Sequence, residues 1–237
     1  VYDGGTTADG SPYLVMPYVP GGTLKDRLHA GPLPPAEAAR VGAKLAGALA
    51  SSHAAGVLHR DVKPENVLLS PYGEPQLADF GIARMADGTT TTGAGLQATI
   101  PYAAPEVLDG RPATAAADVY GLGATLHACL TGSPPYVAGP DEHMVALVGR
   151  VLTQPPPSLV EHGVPVPLAE VVSRAMARDP ERRQVSAAAL RRELDAVADQ
   201  LSASPTATDE HPTVTTPLPA AGAAAAVAAA AAPQVRP

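Results

Sequence analysis

Cysteine is nearly absent from this chain: Cys129 stands alone, so no disulfide framework can hold the fold together. It falls in an apolar helical stretch, where a small buried hydrophobe is its expected role and a reducing compartment is compatible. Basic residues are also scarce, with 16 Lys and Arg against 23 Asp and Glu for a formal charge of -7. Contacts along a phosphate backbone need a basic surface, so a general nucleic-acid binder is excluded. No apolar run reaches the roughly 17 to 20 residues that a membrane helix requires. The nearest, Ala220 to Ala232, is almost all alanine and too short. No signal peptide opens the chain, which starts on Val1 inside what reads as a strand, so a domain cut short at its N-terminus is expected.

What is present is enough for a core. At 237 residues and 46% hydrophobic content, the chain can bury one large domain or two small ones. Its most informative stretch is His59-Arg60-Asp61-Val62-Lys63-Pro64-Glu65-Asn66-Val67-Leu68-Leu69, a polar loop closing on an apolar run of strand type. Such a loop sets charged groups at the rim of a packed core, where binding and catalytic groups tend to sit. Asp79-Phe80-Gly81 follows, containing the chain's single phenylalanine, and then Ala104-Pro105-Glu106.

In that order these residues resemble the signature of the eukaryotic-type protein kinases, H-R-D-x-x-x-x-N, then D-F-G, then A-P-E. The four fixed positions of the first motif alone should arise by chance in about one sequence in a thousand of this length. The resemblance covers about Val1 to Gln200 and implies an α+β, protein kinase-like fold, mostly the helical C-lobe with a remnant β-hairpin of the N-lobe. It divides the chain into residues 1–19 (last strands and hinge), 20–200 (C-lobe) and 201–237. The last segment is rich in Ser, Thr, Pro and Ala, cannot bury a core and is expected to be disordered. In bacterial kinases of this type such a tail often leads to a membrane helix, a tether that would lie outside this chain.

The resemblance also assigns roles. Asp61 would accept the proton of the substrate hydroxyl, Lys63 would lay a cation on the γ-phosphate of ATP, and Asn66 and Asp79 would hold Mg²⁺ with oxygen ligands. Met16 would guard the back of the adenine pocket, with the Pro17 carbonyl and Val19 N-H meeting the base and Leu68 packing under it. Family hinges often have Glu where Pro17 stands; proline keeps the carbonyl and lacks only its N-H. Phe80 and Gly81 belong to the metal loop. Thr99 would bond with Asp61 and Lys63, as in Ser/Thr enzymes, although Ala98 replaces the glycine usual before it. Asp118, a carboxylate inside an apolar helix, would take donors from the backbone near His59 and Arg60. Arg183, after Asp179-Pro180, would pair with Glu106. Thr90 and Thr92, in an activation-loop stretch without hydrophobic periodicity, could be phosphorylated and captured by Arg60.

Periodicity and breakers outline the elements. Val1 to Asp3 and Tyr13 to Met16 read as a hairpin, and Thr23 to Ala30 and Pro35 to Ala55 as helices. The second helix carries a stripe of Ala38, Val41, Leu45, Ala48, Leu49 and Ser52. His29 and His53, near helix C-termini, are read as interacting with the helix dipole. Further helices are expected over Pro112 to Thr131, up to about Leu152, over Leu168 to Ala177 and over Ser186 to Gln200.

The implied function is a Ser/Thr protein kinase using ATP and Mg²⁺ on protein Ser and Thr hydroxyls, in the cytoplasm or at the cytoplasmic face of a membrane. No Gly-rich loop, V-A-I-K lysine or partner-glutamate helix precedes the hinge. The polypeptide alone is therefore expected to be nearly inactive. The alternatives are a pseudokinase-like scaffold without catalysis and a small-molecule phosphotransferase of related fold.

Overall fold

A helix with no polar face has to be surrounded, and the chain has one. Residues Ala115–Thr131 (α4) combine Val, Leu, Tyr and Cys with small residues, and every side from Ala117 to Leu130 is buried. Gly132, at φ 77°, ends it in the left-handed conformation that glycine tolerates. The structure is a computed structural model and describes residues 2–80, 99–139 and 142–203.

The elements follow in the order β1 (Asp3–Thr6), β2 (Pro12–Val15), α1 (Leu24–Leu28), α2 (Pro35–Ala54), β3 (Val67–Leu69), β4 (Pro75–Leu77), α3 (Pro105–Leu108), α4, α5 (Met144–Thr153), α6 (Val166–Ala175) and α7 (Ala187–Ala203). Helix α2 packs most extensively on α7 and next on α4, and α6 closes on α4 and α7. Leu45, Leu49, Leu122, Leu126, Leu168 and Leu194 form the centre of this core, each fully out of water. Burying one such side chain is worth about 1.5–3 kcal/mol, so the helical part holds most of the stability. A smaller cluster of Ile100, Tyr136, Leu147 and Val151 ties α5 to the turn at Ile100–Tyr102.

The predicted stripe on α2 is only partly right. Leu45 and Leu49 are buried, but so are Ala39, Ala43 and Ala46, whereas Ala48 is exposed. The helix is covered by α7 and α4 together, so its buried face is wider than one stripe.

Two antiparallel hairpins complete the α+β architecture. In the first, Asp3 pairs with Val15 and Thr6 with Pro12. The expected Val1 to Asp3 strand thus runs later, into Gly4 and Gly5. The ladder to β2 supplies the bonds there, which outweigh the weak strand preference of glycine. In the second, Val67 pairs with Leu77 and Leu69 with Pro75. Among the described residues no helix is long and apolar enough to cross a membrane.

One buried ion pair joins distant segments. Arg183 Nη1 and Nη2 donate to Glu106 Oε1 and Oε2, both at 2.7 Å, with both side chains almost wholly buried. The guanidinium also donates to the carbonyls of Ala177, Ala116 and Arg178, and lies 5.0 Å from the Tyr120 ring centroid. Replacing Arg183 by Met strands a buried carboxylate and should lower unfolding free energy in urea by about 3–5 kcal/mol. Adding Glu106→Leu should recover most of it; equal instability of the single and double variants would remove the pair from this role.

Candidate active site

The polar loop from His59 to Asn66 leaves the core and re-enters it at β3, and it is held from below by α4. Asp118, 2% exposed, accepts the backbone N-H of His59 on Oδ2 (2.9 Å) and that of Arg60 on Oδ1 (2.7 Å). His53, on the last turn of α2, brings Nε2 to within 2.8 Å of Asp118 Oδ2. An ionised carboxylate accepts only, so His53 donates. Arg60 has φ 67°, a conformation that costs a non-glycine residue about 1–3 kcal/mol. Hydrogen bonds to a charged group contribute about 1.5–3 kcal/mol each, so three of them outweigh the strain.

His59 is the hub of the loop. Its Nε2 lies 3.0 Å from the Ala78 carbonyl and its Nδ1 3.4 Å from the Asp61 N-H, and Phe80 sits on the ring at a centroid distance of 4.5 Å. A carbonyl needs a donor and an N-H an acceptor, which defines a neutral ring with the proton on Nε2. Burial agrees, pushing the His59 pKa below its ordinary value against the upward pull of Asp118, Asp61 and Asp79.

Above this base the charged groups converge. Asp61 Oδ2 receives Lys63 Nζ and Asn66 Nδ2, each at 2.9 Å, and Asn66 Nδ2 also bonds the Asp61 carbonyl at 2.8 Å. Asp61 Oδ1 is buried with no hydrogen-bond partner among the described residues. Lys63 Nζ donates in turn to Thr99 Oγ1 at 2.8 Å. The Asn66 carbonyl accepts the Ala78 N-H at 2.9 Å, which brings Asp79 alongside, exposed and at φ 55°.

The stretch at residues 16–19 is more open. Met16 is 39% exposed, Pro17 is exposed and Val19 half-buried. The linker after it is tied to β3: Leu69 N-H donates to the Gly22 carbonyl at 2.9 Å and Thr23 bridges Leu68. A Cβ on Gly21 would fall 2.1 Å from the Leu69 carbonyl oxygen, so only glycine fits there. Gly81, Thr90 and Thr92 lie outside the described residues. Glu106 and Arg183 bond to each other rather than to the loop.

Asn66 turns its amide nitrogen to Asp61, leaving its oxygen available, and Asp79 offers a carboxylate. That donor set suits a hard cation such as Mg²⁺, which takes one or two protein oxygens and completes its shell with phosphate and water. Among the described residues no group of three or more His, Cys, Asp or Glu is placed to hold an ion without such help.

Two participants were not foreseen. His53 was read as a dipole-bound histidine, yet it touches the buried Asp118; lying four residues after the buried Leu49, it shares that inward side. Lys25 Nζ pairs with Glu65 Oε1 at 2.9 Å across α1 and the loop. No local signal announces that pair. Cys129 is fully buried, its thiol pushed up to about 12 by burial, which fits an inert core residue.

Fold and loop together define a protein kinase, and the chain belongs to that family: the protein kinase domain matches residues 4–193. Among its relatives, Serine/threonine-protein kinase PknK of Mycobacterium tuberculosis (strain CDC 1551 / Oshkosh) is 47% identical over 192 residues, 80% of this chain and 17% of PknK. Serine/threonine-protein kinase PknB of Mycobacterium leprae (strain TN) is 42% identical over 201 residues, 82% of this chain and 32% of PknB. Serine/threonine-protein kinase PknL of Mycobacterium tuberculosis (strain CDC 1551 / Oshkosh) is 38% identical over 205 residues, 85% of this chain and 51% of PknL. The chain thus spans from about a sixth to about a half of the relatives it matches, and it is a kinase domain of the bacterial Ser/Thr type.

Two outcomes follow from the base of the site. Asp118→Ala leaves one buried and one part-buried backbone donor unpaired, a loss of about 2–6 kcal/mol, and should speed amide exchange at His59 and Arg60. Unchanged protection of those amides would contradict the anchoring role. Because burial keeps His59 neutral, the unfolded chain binds more protons than the folded one below about pH 6.5. Stability should fall as pH drops through that range, with a slope of at most about 1.4 kcal/mol per pH unit from this residue. His59→Gln should flatten the urea-midpoint profile between pH 7 and 5, and an identical slope would exclude it.

Proposed function

We propose that the chain transfers the γ-phosphoryl group of Mg²⁺-bound ATP to Ser and Thr hydroxyls of protein substrates. The observation that carries this reading is Asp61: one carboxylate oxygen is held by Lys63 and Asn66, and the other is buried without a partner among the described residues. A buried acceptor so oriented suits the proton of an attacking hydroxyl. Phosphoryl transfer asks for little more than position and charge neutralisation. Lys63, steadied by Thr99, supplies the cation for the phosphate, and Asn66 and Asp79 hold the magnesium that offsets the remaining charge. The Pro17 carbonyl, Val19 N-H and Leu68 serve the adenine, and Arg60 is the cation that would capture the phosphate of a modified Thr90 or Thr92. The lone buried thiol and the use of ATP support a cytoplasmic setting.

All four of Asp61, Lys63, Asn66 and Asp79 are kept, so no observation favours the silent-scaffold alternative. The nucleotide's α and β phosphates, however, find no Gly-rich loop or V-A-I-K lysine in this sequence. The isolated polypeptide should therefore phosphorylate a Ser/Thr model peptide far more slowly than a complete kinase. Joining a Gly-rich and lysine-bearing segment of the protein-kinase type ahead of Val1 should raise the rate, and Asp61→Asn in that background should lower kcat by about 10²–10⁴. Transfer that is indifferent to Asp61 and Lys63 would refute the proposal.

A further inference from the structure

A groove of about 890 Å³ lies away from the polar loop, between α3, the C-terminal ends of α5 and α6, and the turn at Pro180–Arg182. Its volume is in the range of about 300–1,000 Å³ found for ligand sites. Leu152, Pro155 and Pro156 supply an apolar lining. Arg111, just after α3, and Arg178 and Arg182, four residues apart on the stretch that follows α6, also line it.

Asp109 and Asp179 line the same groove, but they engage the arginines weakly. Asp109 stands 3.7 Å from Arg111 Nε and Asp179 3.9 Å from Arg182 Nε, both pairs on the exposed surface. Pairs of this kind are worth about 0–1 kcal/mol. Both contacts are longer than a hydrogen bond, and the Arg111 and Arg182 guanidinium groups donate no hydrogen bond among the described residues. Arg178 donates one long bond, Nη1 to the Thr153 carbonyl at 3.3 Å. The wall itself is pre-formed, because the buried Arg183 binds the carbonyls of Ala177 and Arg178 from beneath.

We propose that this groove docks an extended acidic segment of a partner protein, its carboxylates engaging Arg111, Arg178 and Arg182 while an apolar side chain rests on Leu152 and Pro156. Planar forks with free N-H groups match carboxylates bidentately. Arg111 stands on one segment and Arg178 with Arg182 on another, with Asp109 and Asp179 among them, which suits carboxylates spaced along a chain better than one compact dianion. The chain's net charge of -7 repels acidic partners elsewhere, so a cationic groove selects where they settle. The inference does not depend on phosphoryl transfer.

The test is fluorescence anisotropy of the whole chain with a labelled peptide in which Glu alternates with Leu and Pro. A matching peptide with Lys for Glu, and one with a single phosphoserine and no Glu, serve as comparisons. The acidic peptide should bind best and weaken as salt rises. The double reversal Arg111→Glu/Arg178→Glu should weaken it by roughly tenfold or more, while Arg191→Glu, an exposed reversal on α7, leaves it unchanged. These arginines are exposed, so the variants should fold as judged by circular dichroism; should the double variant not fold, Arg182→Gln replaces it and should still weaken binding. Equal binding by wild type and the folded variant, or by the Lys peptide, would overturn the proposal. Tighter binding of the phosphoserine peptide would reassign the groove to phosphopeptides.

Discussion

Taking the Asp118 carboxylate out of water on an otherwise apolar helix has a large desolvation cost, and the molecule meets it with donors from two other segments. The backbone of His59 and Arg60 and the ring of His53 thereby become bound to α4. Helix α4 is fixed by the leucine core, so the loop inherits the rigidity of that core. Breaking these bonds would release the strained Arg60 backbone and unseat His59 together. The arrangement of Asp61, Lys63 and Asn66 above depends on both.

The same loop distributes its charges unequally. Asp61 has one satisfied oxygen and one that is buried without a partner among the described residues, while Lys63 and Asn66 are occupied in holding the satisfied one. Strain appears at Arg60 and Asp79, the two non-glycine residues with positive φ among those described, and they bracket the proposed catalytic and metal-binding groups. Such strain persists only where surrounding contacts over-determine the backbone. The Glu106–Arg183 bridge does the corresponding work on the opposite side of α4, where it also shapes the groove walls.

How much could be read from the chain differs from residue to residue. The convergence of Asp61, Lys63 and Asn66 was legible because they lie within six positions of one another, and a tight loop has few ways to separate them. The burial of Asp118 followed from the apolar residues around it. Its partners His59 and Arg60, and the pairing of Glu106 with Arg183, are separated by 59, 58 and 77 positions, and only the likeness to kinases suggested them. The His53 contact, the Lys25–Glu65 pair and the grouping of Arg111 with Arg178 and Arg182 carried no comparable cue. The bounds of β1 and the wide buried face of α2 were misjudged for a related reason: both are defined by what packs or pairs against them.

Composition and order were sufficient to establish a cysteine-poor, acidic chain with a polar loop and a buried helix, and the order of its motifs to mark its likeness to kinases, because those properties reside in residue type and short spacing. Which oxygen of Asp61 is left without a donor, which histidine joins Asp118, and where a cationic groove opens depended on the folded chain. Those outcomes are set by hydrogen bonds and close packing between segments distant in sequence, and pattern along the chain holds no distance between them.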